Sequence, residues 1–315
     1  MRKLLNTLFL AIFIAVIIVI SYGIGLQSYT WMPVQATAEA QHVDDLFSFL
    51  VAVGTFIFLG ITGIIVYAIV MHRAPPGDFS EGHPSRGNAT IELIWTITPT
   101  LLVIWVAIQS FQIYEQLKIL GLSPIVMHHL PLESPAFAAD TGNTKPSVQN
   151  SPQPANISIE VTARQWAWIF RYPDRQVTST ELHLPVNQSV QLVLRSEDVL
   201  HGFYVPEFRV KQDIIPNRAI TFVFTPTREG KYRLRDSQFS GTYFALMDAD
   251  VYVESIATYQ QWIDRAAQQT PAPAFNRAYT EYNQQIQKTF GRGWIPLTPV
   301  QPPVVNISTV PGEHP

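Results

Sequence analysis

Cysteine is absent from the 315 residues of the sequence. No disulfide can therefore hold a domain together, no thiolate can bind a metal, and no lipid can be attached at a lipoprotein-type cysteine. Any part of the chain outside a membrane must depend on its own apolar core, and the chain is long enough to bury one.

Charge is missing from three long stretches, residues 4–26, 46–71 and 93–114. At about 1.5 Å per helical residue, each can cross about 30 Å of hydrocarbon. We therefore expect three membrane-spanning helices. Two form a helical hairpin within residues 40–121, and one additional span lies within residues 1–30.

The first apolar stretch follows Arg2 and Lys3, which is also typical of a secretory signal peptide. A retained span and a cleaved signal both stay open. The lack of a clear small-residue cleavage site before Ala36 favours the retained span.

Basic residues in the short loops predict the orientation. One set of span ends is flanked by basic residues, namely Arg2, Lys3, Arg73 and Arg86. The segment between the first two spans, residues 27–45, contains no Lys or Arg. Because basic loops stay on the cytoplasmic side, the part after the third span is expected in a periplasm or thylakoid lumen.

Composition changes after the spans. Residues 122–156 are rich in Pro, Ser, Ala and Asn without periodicity, which predicts a linker. Residues 157–256 contain short β-branched or aromatic runs, typical of a sandwich or barrel. Residues 257–315 predict two helices, at 259–267 and 276–288, before an extended tail. The predicted strands are 157–161, 167–172, 190–194, 220–224 and 250–253.

Three segments carry patterns similar to a known family. Residues 92–99 read Glu-Leu-Ile-Trp-Thr-Ile-Thr-Pro, and residues 165–173 contain Gln-Trp-Ala-Trp before further aromatics. Residues 201–216 begin His-Gly-Phe-Tyr-Val-Pro. In this order they resemble the signature segments of subunit II of haem-copper terminal oxidases. The resemblance implies an α+β membrane protein with a transmembrane helical hairpin, an additional N-terminal span, a cupredoxin-like Greek-key β-sandwich and C-terminal helices.

One segment departs from the family pattern. Copper-bearing members combine a first His with a CxxxCxxxHxxM segment, in which soft thiolates bridge two copper ions. The aligned positions here are Asp236, Ser240, Phe244 and Met247, and the first His is His201. Only His201 and Met247 remain as ligands, which implies that the binuclear copper site is lost.

Relatives with this loss belong to quinol oxidases, and the chain resembles most the alternative terminal oxidases of cyanobacteria. The resemblance then implies a subunit that binds no cofactor or metal itself, with haems and copper in a partner catalytic subunit. Expected partners are subunits I and III, a quinol donor to the complex and membrane lipid, but no nucleic acid. The membrane is a cytoplasmic or thylakoid membrane.

The resemblance also assigns roles to single residues. Glu92 matches a position associated with proton entry, although a carboxylate there can simply cap the helix. Gln238 stands where relatives have a Glu that helps to bind magnesium, which puts such a site in doubt.

Five residues match positions that face the catalytic subunit in the family. A solvated charged loop is the alternative for the basic and acidic ones, and plain packing is the alternative for the tryptophan. The five residues are Trp166, Arg209, Lys211, Asp213 and Arg218.

Two other classes of function stay open. The chain could be a membrane-anchored cupredoxin-like scaffold or assembly protein, but an anchor needs only one span and no particular sequence within it. A subunit of a nitrous oxide or nitric oxide reductase fits less well, because nitrous oxide reduction needs the missing copper ligands.

Overall fold

Three long apolar helices form the amino-terminal part of the computed structural model, which describes residues 2–71, 73, 77, 87–116, 157–288 and 297–308. They are α1 (Arg2–Gln27), α2 (Ala38–Met71) and α3 (Ala89–Gln116). Each is long and apolar enough to cross a membrane, which confirms the three predicted spans. The predicted linker, 122–156, and Arg86 lie outside the described residues.

Polar contacts join α1 and the 3-10 turn that follows it, Ser28–Trp31, to α2. The Ser48 hydroxyl donates to the Gly25 carbonyl at 2.7 Å, and the Tyr29 hydroxyl donates to Asp45 at 2.6 Å. A β-carbon added at Gly25 would lie 2.9 Å from that of Ala52, so the glycine permits close approach of the two helices. The additional N-terminal span is therefore packed against the predicted hairpin.

Two five-stranded sheets form a cupredoxin-like β-sandwich, as predicted. Their strand orders are β3-β2-β1-β5-β8 and β4-β10-β9-β6-β7. Most pairs are antiparallel, but β1 with β5 and β4 with β10 are parallel. The strands are β1 (Ile157–Arg164), β2 (Ala167–Tyr172), β3 (Val177–Ser179), β4 (Leu182–Pro185), β5 (Val190–Ser196), β6 (His201–Val205), β7 (Val210–Ile214), β8 (Ile220–Phe224), β9 (Gly230–Asp236) and β10 (Asp248–Glu254).

Alternation explains why these strands form. In β1, Ile159 and Val161 are fully buried, and they lie opposite Leu192 and Leu194 of β5, which are also fully buried. Successive side chains of a strand point to opposite faces, so this register directs all four into one core. The five predicted strands are confirmed.

No strand was predicted within the segment 201–216. It forms β6, a short 3-10 turn at Pro206–Phe208, and β7. Its pairing buries His201 opposite Ile214 at the start of β6.

Two helices follow the sandwich, as predicted. The first, α4 (Ile256–Gln268), begins after Ser255, whose hydroxyl accepts a hydrogen bond from the Thr258 amide. It buries one face through Tyr259, Trp262, Ile263 and Ala266, and the indole of Trp262 stacks on the His183 ring at 3.8 Å. The second is α5 (Arg277–Lys288), and a short pair, β11 (Ala272–Pro273) with β12 (Val304–Val305), joins the chain on either side of it.

Residues 34–40, which include the first three residues of α2, belong to the β-domain. The Ala36 amide donates to Glu207 O at 3.0 Å, and the Thr227 amide donates to Ala36 O at 2.8 Å. Ala36 is fully buried in the core of the sandwich.

Candidate functional site

The candidate site is built around a buried histidine at the start of β6. The His201 ring is fully buried, and each ring nitrogen contacts a carboxylate. Nδ1 lies 2.7 Å from Asp236 Oδ2, and Nε2 lies 2.9 Å from Asp198 Oδ1. Ionised carboxylates only accept hydrogen bonds, so this geometry favours a ring that donates from both nitrogens, the imidazolium.

Asp236 is the acceptor at the centre of this arrangement. It ends β9, and pairing of β9 with β6 sets it opposite Phe203 and beside His201. Its Oδ1 accepts from the amides of Gly202 at 2.7 Å and Gln238 at 3.0 Å. Its Oδ2 accepts from His201 and, at 2.8 Å, from the Ser240 hydroxyl. Four donors therefore satisfy a carboxylate whose side chain is fully buried.

Opposite charges and hydrogen bonds shift the pKa values of His201 and Asp198 against the effect of burial. Burial of His201 favours its neutral form, but hydrogen bonds and the charges of Asp198 and Asp236 outweigh this and raise the pKa of His201. Burial also works to raise the pKa of Asp198. Hydrogen bonds from His201 and from the amides of Gln165 and Val199 outweigh it, so the pKa of Asp198 is lowered. We call His201, Asp198, Asp236 and Ser240 the His201 network.

Asp198 was not predicted as a site residue. It lies in the turn between β5 and β6, three residues before His201. A single carboxylate in a turn has no periodicity that would reveal it, and only the Asp-x-x-His spacing could have suggested a contact.

A tight loop returns the chain to the network after β9. Gly241 has a φ of +117°, and an added β-carbon would lie 2.8 Å from Trp166 Cζ2, so only glycine fits here. Trp166 is 2% exposed and packs edge-on against Tyr243 at 5.2 Å. Gln165, beside it, donates from Nε2 to Ser240 O at 2.6 Å. The turn between β1 and β2 thus holds the loop in place.

The side chains at the other two positions aligned with copper ligands of the family, Met247 and Phe244, do not join the network. Met247 is buried, and its carbonyl accepts from the Trp168 indole at 3.2 Å and the Asp236 amide at 3.1 Å. Phe244 begins a 3-10 turn and packs against Phe239 at 5.1 Å. Phe239 itself is 78% exposed.

Four of the five predicted contact residues lie on and around β7, an edge strand of its sheet, whereas Trp166 lies in the turn between β1 and β2. Lys211 and Arg218 are exposed, and Arg209 donates to Pro206 O at 2.7 Å. Asp213 accepts from Gln238 Nε2 at 2.8 Å, which ties β7 to the loop after β9.

Glu92 lies in the first turn of α3. Asn88 precedes the helix, and its side chain accepts from the amides of Thr90 at 3.1 Å and Ile91 at 3.3 Å. Glu92 Oε1 in turn accepts from the Asn88 amide at 3.3 Å. Its carboxylate therefore takes part in a reciprocal cap of the helix.

Metal-ligating side chains do not gather elsewhere in the described ranges. Within them, no group of three or more His, Cys, Asp or Glu side chains has a geometry that could hold a metal ion.

Two family descriptions match the chain. "Cytochrome C oxidase subunit II, transmembrane domain" matches residues 22–113, and "Cytochrome C oxidase subunit II, periplasmic domain" matches residues 174–256. A cytochrome c oxidase subunit 2 of Synechocystis sp. is 33% identical over 284 residues, which cover 84% of this chain and 83% of the relative. The chain belongs to the subunit II family of haem-copper oxidases. It is a membrane-anchored subunit of an oxidoreductase complex, with its β-domain outside.

Other similar proteins differ in their names. A quinol oxidase subunit 2 of Bacillus cereus is 25% identical and covers 81% of this chain and 77% of its own. The crystal structure of the periplasmic domain of subunit II of cytochrome oxidase of Bradyrhizobium japonicum is 26% identical, with a TM-score of 0.34. It covers 35% of this chain and 92% of that one.

Proposed function

We propose that this chain is the subunit II of a quinol oxidase and carries no binuclear copper centre. The observation that carries the proposal is the state of His201. The His201 Nδ1 atom, which could bind a metal, lies 2.7 Å from Asp236 Oδ2 and donates a hydrogen bond to it. A metal needs a lone pair on that nitrogen, so the network and a metal compete for the same atom.

The residues at the other ligand positions do not fit a copper pair. Asp236 and Ser240 offer hard oxygen atoms where thiolates would bridge two copper ions, and they bond to each other. Phe244 offers no donor atom. Met247 supplies one soft sulfur, and the sequence has no cysteine to complete a site.

Electrons must then enter the complex without passing through this subunit. A quinol can deliver them directly to haem, which together with copper belongs to the catalytic subunit I. This chain contributes architecture, and subunit III is a further proposed partner. Relatives named quinol oxidase subunit 2 occur in the family, but the names divide between two donor types, so the proposal depends on the residues.

The charged residues of β7 and the turn after it form the proposed contact with subunit I. Arg209, Lys211 and Arg218 can pair with anionic groups, and Asp213 is positioned by Gln238. Only 2% of Trp166 is exposed within its own chain. Its proposed role in this contact is therefore indirect, through support of the turn between β1 and β2.

Glu92 is proposed to admit protons at the inner end of α3. Its carboxylate is exposed and lies at the start of a span. A cap and a proton site are compatible, because the bond to the Asn88 amide uses one carboxylate oxygen.

Oxygen consumption by the purified complex tests the donor. We expect rapid turnover with a reduced quinol and none with reduced cytochrome c, together with a copper-to-haem ratio that leaves no copper beyond the catalytic site. A variant of the same complex with Asp236→Asn, the milder change, controls for indirect effects, since an altered network must not create cytochrome c activity. Efficient cytochrome c oxidation by the unmodified complex, or two additional coppers, would refute the proposal.

A further inference from the structure

The described carboxyl-terminal segment, residues 297–308, lies along the β-domain, and we call it the strap. It adds to the edge of the first sheet beside β3. Asn306 is the main link, since its amide donates to Thr178 O at 2.7 Å and its side-chain oxygen accepts from the Thr178 amide at 2.9 Å. The Thr180 amide donates to Ile307 O at 3.2 Å. The strap therefore occupies an edge that would otherwise be open.

The strap also reaches the turn between β1 and β2. The Val300 amide donates to Gln165 O at 2.8 Å. From the residues just before α5, Asn276 Nδ2 donates to Trp166 O at 3.3 Å, and the Ala274 amide donates to Pro303 O at 2.7 Å. The carbonyl groups of Gln165 and Trp166 thus both accept hydrogen bonds from the carboxyl-terminal part of the chain.

Gln165 connects this turn to the His201 network in two directions. Its amide donates to Asp198 Oδ2 at 2.6 Å, and its Nε2 donates to Ser240 O at 2.6 Å. Asp198 and Ser240 in turn bond to His201 and Asp236. A continuous series of hydrogen bonds therefore runs from Val300 to the buried imidazolium.

We propose that the strap is a positioning element for the His201 network, acting through Gln165. The inference rests on the proposed function in one respect, namely that no metal joins these loops. Single hydrogen bonds each contribute about 1 kcal/mol. The loops that carry the His201 network are held by only a few such bonds. They keep their positions only if the turn between β1 and β2, which contains Gln165, is held as well, and the strap holds this turn.

Hydrogen exchange of the purified oxidase complex, followed by mass spectrometry, tests the coupling. The variant Val300→Pro removes the amide that bonds to Gln165 but leaves the strap in the chain. Val300→Ala keeps that amide and is the matched control. The reporters are the Gly202 and Gln238 amides, which bond to Asp236 far from the strap in sequence.

We expect both reporter amides to exchange about five- to tenfold faster in Val300→Pro than in Val300→Ala. A deletion of residues 297–315 should do the same. If only Thr178 and Thr180 exchange faster on deletion, the strap covers an edge and positions nothing, and the proposal is wrong. Copper analysis of the same samples separates the two proposals, since bound copper would refute the function without changing the exchange result.

Discussion

Removing the Asp236 carboxylate should destabilise the β-domain more than any surface change. In Asp236→Ala, four donors lose their acceptor, and the His201 imidazolium keeps only Asp198 as a partner. Breaking a buried ion pair by removing one partner costs about 3–5 kcal/mol. At about 2–4 °C per kcal/mol for a domain of this size, the melting temperature should fall by about 6–20 °C.

Thermal unfolding of the full-length subunit in detergent, followed by near-ultraviolet circular dichroism, measures this shift. Asp236→Asn should cost less, because a neutral His201 can donate from Nε2 and accept the new amide proton at Nδ1. Glu160→Ala is the control, since Glu160 forms only a surface pair with Arg171 at 3.3 Å and should cost under about 1 kcal/mol. A difference of less than about 2 °C between the melting temperatures of Asp236→Ala and the control would show that the network does not stabilise the fold.

Three further predictions concern other parts of the chain. The pKa of His201 is raised from its ordinary value of 6.5. The charged ring therefore stabilises the folded state fully below pH 6.5, and this stabilisation is lost as the pH rises through the raised pKa. The melting temperature should therefore fall above about pH 6.5, and His201→Gln, measured over the same pH series, should remove this dependence; an identical slope in the variant would contradict the assignment. Glu92→Gln keeps an acceptor for the Asn88 amide but cannot carry a proton, so oxygen turnover of the assembled complex should fall about tenfold or more, and unchanged turnover would leave only the capping role. Trp262→Ala removes the indole stacked on His183 and should cost about 3–5 kcal/mol, seen as proteolysis within α4 under conditions in which the unmodified subunit resists; equal resistance would show that α4 is held elsewhere.

The spans and the regular strands could be predicted because their signals are strong. A helix that crosses hydrocarbon must be apolar for about 20 residues. Burial alternates along most of β1 and β5, from Ser158 to Arg164 and from Val190 to Arg195. The strands β6 and β7 were missed because the segment contains Gly202, Pro206 and charged residues, and only tertiary pairing shows that it is buried.

The site was predictable only in part. The family pattern located His201, Asp236 and Ser240, but it could not show that they bond to one another. Asp198 has no counterpart in that pattern, and its contact with His201 depends on the turn geometry between β5 and β6. The attachment of residues 34–40 to the sandwich was also not predicted, since most of its hydrogen bonds join main-chain atoms that any sequence possesses, and the side-chain bonds of Thr37 and Glu39 follow no sequence pattern.

The bond between Asp198 and His201 Nε2 has a consequence for protein engineering. Metal-binding histidines commonly donate their second ring nitrogen to a carboxylate, which fixes the ring and its tautomer. Asp198 already orients the ring in this way, with Nδ1 directed at position 236. Asp236→Cys, Ser240→Cys and Phe244→His would therefore add thiolates and an imidazole around an oriented histidine and a buried Met247. The support that Asp198 gives to the ring therefore does not depend on which residues occupy positions 236, 240 and 244.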